Sequence, residues 1–174
     1  MKKKTLWIAE TAVMIALLVA LQGLTKPAGQ FVTGSCVNLI LGVSTLVGGL
    51  WCGFTVALLS PFFAFLLGIG PALIQIVPAI AVGNIALVVL LWFICRKTVA
   101  LNARCYGGAV VASVFKFAVL YSLVVLLLLP LLGLPEKQVA MMSAMFSWPQ
   151  LVTALIGSIL AVTIAPAIRK ALRR

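Results

Sequence analysis

The sequence predicts an all-α membrane protein: six transmembrane helices in a single bundle over residues 1–174, with both termini cytoplasmic. Three observations carry that expectation. Of 174 residues, 64% are hydrophobic and only 9% charged, far outside the range of a soluble domain. Apolar runs of roughly 18 or more residues recur, each long enough to cross the ~30 Å hydrocarbon core as a helix. Basic residues cluster between those runs on alternate connections.

Apolar runs bounded by charges or by Gly/Pro breaks give spans at 5–24, 35–50, 52–67, 72–95, 106–130 and 145–168. The first is read as a retained span. It is longer than a secretory signal core, and its removal would leave five spans. Thr33, three positions before Cys36, also makes "TGSC" a poor lipoprotein box. The second and third spans are divided only by "LVGGLWCGF", where Gly48, Gly49 and Gly53 suit a tight helical hairpin. One helix over 35–67 would be longer than a single crossing needs.

Charge tests the count. Six spans put Lys2, Lys3, Lys4, Arg96, Lys97, Arg104, Arg169, Lys170, Arg173 and Arg174 on one side. Lys26 and Lys137 fall on the other, and Lys116 lies inside a span. Ten of the thirteen basic residues on one face fit the positive-inside rule, with that face cytoplasmic. Five or seven spans would separate the terminal clusters.

Composition also excludes chemistry. Glu10 and Glu136 are the only carboxylate side chains, in different segments, and there is no histidine. Paired-carboxylate acid/base catalysis and histidine-based nucleophiles are therefore unsupplied, and an enzyme is not expected. Cys36, Cys52, Cys95 and Cys105 lack CxxC spacing and read as small hydrophobes. No metal or cofactor is implied. The net charge of +11 reports topology and not nucleic-acid binding, because it forms no stripe with aromatic residues.

The remaining polar groups suggest where a solute would sit. "TKPAGQFVTGSCVN" reads as the first external connection, offering Gln30, Thr33, Ser35 and Asn38. The fourth span carries Gln75 near its outer end and Asn84 near mid-membrane; Trp148 and Gln150 stand at the outer entry of the sixth. Amides in hydrocarbon need a partner helix or a ligand, and either use fits Gln75 and Asn84. Trp148 fits an interface anchor better than a stacking platform, as do Trp7, Trp51 and Trp92.

Lys116 is the sharpest feature. It falls about 15 Å along its span at 1.5 Å per residue, near the bilayer centre. An ionisable group at that depth marks a functional site by default. Two partners are open to it: Glu10, about a turn inside the cytoplasmic face, or an anionic solute entering from outside. The solute is the reading preferred here, since Glu10 is shallower.

On the first span Ala12, Ala16 and Ala20 recur every four residues and line one face. Such a stripe admits another helix closely, and spacing alone favours packing within the chain. With six spans in under 200 residues, a basic amino terminus and a small-residue-rich hairpin at "GSCVNLILGVSTLVGGLWCGF", the chain resembles the substrate-binding S component of energy-coupling factor (ECF) vitamin transporters. The resemblance extends over essentially the whole chain. It implies that Ala12, Ala16 and Ala20 match the AxxxA motif that docks onto a transmembrane T component. It also implies two cytoplasmic ATPase subunits, a bacterial plasma-membrane location and a vitamin-like substrate in the outer half of the bundle. Gln30, Gln75, Asn84, Lys116, Trp148 and Gln150 fall in the elements that hold it. The alternatives are an autonomous small secondary transporter coupled through Glu10 and Lys116, and an assembly subunit without a solute site.

Overall fold

The computed structural model describes residues 2–96 and 102–172, with side chains from residue 5 onward. Among these the chain consists of helices joined by short connections, without strands. The six main helices of the bundle are α1 (Lys2–Thr25), α2 (Gln30–Gly48), α3 (Leu50–Leu66), α4 (Val77–Cys95), α5 (Ala103–Leu120) and α7 (Trp148–Ala171). A short helix, α6 (Glu136–Met145), precedes the last. Five stretches are long and apolar enough to span a membrane, and α3, at 17 residues, is shorter. Lys97, Arg173 and Arg174 of the basic clusters lie outside the described residues, as do the side chains of Lys2, Lys3 and Lys4.

The second and third spans are separate helices, as the glycines suggested. Gly49 turns the chain at φ +91°, a conformation glycine reaches without a steric cost. The first external connection differs from expectation. It is only the turn Lys26–Ala28 and Gly29, and α2 begins at Gln30, five residues earlier than its hydropathy suggested. Thr33, Ser35 and Asn38 therefore ride on a helix, not a loop. The physical reason is that backbone at membrane depth must be satisfied internally, which the helix achieves. Gly34 is not a breaker here: it is where Thr153 of α7 packs, its methyl 2.9 Å from where a Cβ would stand.

The fifth span has close to its expected extent, α5 continuing through a π-helical stretch Tyr121–Leu128 and a last turn Leu129–Leu131. Asn102 caps its start, the side chain accepting from the Cys105 amide at 2.9 Å. Residues 136–145, expected as connection, form α6 instead. Met142 and Phe146 anchor it against Ile76, Leu120 and Val124. A second, larger core of Leu18, Leu41, Val56, Leu87, Leu91 and Ala161 fills the other part of the bundle.

Small residues set the helix spacing. A Cβ on Gly157 of α7 would stand 2.5 Å from the Ser35 carbonyl oxygen and 2.7 Å from the Leu39 amide nitrogen, so α2 and α7 touch backbone to side. Gly83 of α4 likewise receives Leu120 of α5, whose Cγ is 2.5 Å from a Cβ there. These two close approaches fix where Asn38, Asn84 and Lys116 point.

Candidate functional site

Asn38, Asn84 and Lys116 come from three helices and meet in the interior. The Lys116 Nζ donates to Asn38 Oδ1 and to Asn84 Oδ1, each at 2.6 Å. All three residues are at most 3% exposed. Asn38 is itself held by donating from Nδ2 to the Gly34 carbonyl at 2.8 Å. Neutral amide oxygens therefore hold the buried lysine amine, and Glu10 does not. Glu10 lies elsewhere, near Cys52 beside the α2–α3 turn.

Above this trio lies a cavity of about 370 Å³, within the size range of small-molecule sites. Lys116, Asn38 and Asn84 form its floor. Leu18, Val37, Pro61, Ala64, Ile80, Leu120 and Phe146 supply apolar wall. Gln22 of α1, Thr33 of α2, Ser60 of α3 and Gln150 of α7 add polar atoms, so each of the six main helices contributes. Lys26, Gly29, Gln30, Ile69, Gly70, Pro71 and Met145 belong to the connections and helix ends around its mouth.

Two long-range hydrogen bonds lace that mouth. The Lys26 Nζ donates to the Gly68 carbonyl at 2.7 Å, tying the α1–α2 turn to the α3–α4 connection. The Gln30 Nε2 donates to the Met145 carbonyl at 2.6 Å, tying α2 to the end of α6. Both are single contacts at exposed or partly buried positions, so opening the mouth costs little, about 0.5–1.5 kcal/mol each.

Of the residues expected at a site, Lys116, Asn84, Gln30 and Gln150 line this cavity and Gln75 and Trp148 do not. Gln75 is exposed on the turn Ile74–Ile76, whose inward position is taken by the fully buried Ile76. Trp148 is 62% exposed and its ring lies 5.4 Å from Phe31 on the outer surface. Two residues on, about 200° around the helix, Gln150 faces inward. Asn38, Thr33, Gln22, Ser60 and Lys26 also line it, though none was singled out as a solute contact. Asn38 was visible as a polar group but assigned to a loop; Ser60 and Gln22 carried no signal beyond being polar in apolar runs.

The alanine stripe has a clear orientation. Ala12, Ala16 and Ala20 are all exposed, while Thr11 and Leu18 on the other side of α1 are buried against the bundle. Packing within the chain is therefore not what the stripe does. Among the described residues no cluster of ligating side chains suits a metal ion.

Comparisons with known proteins agree with this architecture where they reach it. No curated protein and no solved structure matches the chain. The family described as "ECF transporter, substrate-specific component" matches over residues 7–169, nearly the full length. A multi-pass helical chain matched over that extent belongs to the ECF transporter substrate-specific component family, whose members work with ECF T and ATPase subunits.

Proposed function

We propose that this chain captures a vitamin-like micronutrient from the extracellular side of a bacterial plasma membrane, for import driven by partner ATPases. The observation that carries the reading is the cavity whose floor is Lys116 held by Asn38 and Asn84. A filled interior with the amine clasped by Glu10 would have favoured an assembly role or an ion-coupled transporter. The asparagines instead leave one of the three ammonium donors for a guest. That donor favours a solute bearing a carboxylate or phosphate.

The positive-inside distribution supports an outward cavity. Its mouth lies at the end of the bundle opposite Arg96, Arg104, Arg169 and Lys170. The mouth contacts at Lys26 and Gln30 act as latches that close behind the solute. On the lipid side, exposed Ala12, Ala16 and Ala20 give α1 a smooth face for a helix of the T component. Lys116, Asn84, Asn38, Gln30 and Gln150 are the residues proposed to surround the solute.

The test is equilibrium binding of a panel of water-soluble vitamins to the purified protein in lipid nanodiscs, beside the Ala64→Phe variant. Ala64 lines the cavity, so a phenyl ring there should occupy the solute's space and abolish binding while the thermal unfolding temperature holds. Undiminished binding by a folded variant would place the solute elsewhere.

A further inference from the structure

The same cavity narrows the chemistry of its guest, on the premise that it is a solute site. Its charge is one-sided. Neither Glu10 nor Glu136 lines it, whereas Lys116 stands on the floor and Lys26 at the mouth. The floor carries a single ammonium among neutral groups. A monoanion cancels that charge, but a phosphate monoester, near −2 at neutral pH, would leave uncompensated charge at membrane depth. Lys26 does not make up the difference, being exposed and committed to the Gly68 carbonyl.

A second feature is independent of charge. The Gln22 Oε1 and the Ser60 Oγ are buried without any hydrogen-bond partner, and both residues line the cavity from α1 and α3. Ser60 is 1% exposed. Helical Ser and Thr ordinarily satisfy themselves on the carbonyl one turn back, as Thr45 and Ser113 do here. Ser60 does not, and its hydroxyl stays unpaired beside the cavity. A buried polar atom left unpaired is destabilising, unless something completes it.

We propose that the solute is an organic monocarboxylate whose body also carries an N–H or O–H donor. Lys116 takes the carboxylate, and Gln22 Oε1 and Ser60 Oγ take the donor. The apolar walls at Leu18, Ile80 and Phe146 enclose the part between.

A defined mixture tests this. Purified protein is incubated with equal amounts of pantothenate and biotin (acids with donors), nicotinate and lipoate (acids without), pantothenol and nicotinamide (neutral), and pyridoxal phosphate. The protein is then re-isolated and the retained compound identified by mass spectrometry. Retention of pantothenate or biotin, with a Kd about tenfold weaker in Ser60→Ala, is the expected result. That variant should melt no lower than the parent, because the hydroxyl it removes bonds to nothing in the unliganded fold. A merely structural serine would show the reverse pattern. Retention of a neutral compound, a phosphate or a donor-free acid overturns the proposed class while leaving solute capture standing. So does a parental Kd in Ser60→Ala. If the folded protein retains none of the mixture, the proposed class is overturned, and the wider vitamin panel above decides solute capture itself.

Discussion

A lysine at mid-bilayer depth survives folding only when its ammonium is given acceptors, because hydrocarbon offers none. Here the acceptors are two asparagine carbonyls on helices other than its own. Their neutrality matters. A carboxylate partner would have cancelled the charge internally and left the cavity floor indifferent to an anion, whereas amides orient the amine and keep its charge available. Replacing either amide by leucine strands part of a buried cation. Asn84→Leu and Asn38→Leu should each lower unfolding stability by about 1–3 kcal/mol, measured by thermal unfolding of the purified protein. No loss in either variant would mean that the amine is satisfied by other groups. Lys116 could be read from the sequence because one charge interrupts a long apolar run. Its partners could not, since Asn38 follows Gly34 and Pro27 in a stretch that reads as a loop. Only the packing of Thr153 on Gly34 shows that glycine to be a contact point within a helix.

At the level of elements, the site exists because two helix pairs approach closely through glycine. The α2–α7 approach at Gly157 is the tighter constraint, since a methyl would meet the Ser35 and Leu39 backbone and the Asn38 Cβ, none of which can swing aside. Gly157→Ala should therefore destabilise by about 1–3 kcal/mol through overpacking and disturb Asn38. Gly107→Ala on α5 is the control: nothing lies within 4 Å of its added carbon, and helix propensity predicts a gain of up to about 1 kcal/mol. Equal effects of the two in a thermal unfolding series would refute the packing argument. Helix existence was readable from apolar run length, and the α2–α3 break from the paired glycines. Hydropathy carried the fifth span through Tyr121–Leu128, but not the π-helical winding of that stretch. Nor did it mark α6, whose "EKQVAMMSAM" is too short and polar to stand out and is ordered by Met142 and Phe146 from outside itself.

For the whole molecule, the alternation of basic connections pointed to six spans, because charge is costly to translocate, and the structure has six such helices, five of them long and apolar enough to cross a membrane. What hydropathy cannot say is which face of α1 looks outward, since lipid and protein interior are equally apolar. The structure turns Ala12, Ala16 and Ala20 away from the bundle, and a bulky side chain there should block a partner helix without touching the cavity. Ala16→Trp is expected to abolish co-purification with a co-expressed T component while solute affinity stays at the parental value. Joint loss of both would show that the face supports the bundle after all.

The central claim is that a solute rests on the buried lysine. Titrating the retained solute against Lys116→Ala in nanodiscs tests it most directly. The account predicts a Kd raised at least about thirtyfold, the lower end of the cost of truncating one partner of a buried charge pair. A folded Lys116→Ala protein that binds with the parental Kd would contradict it.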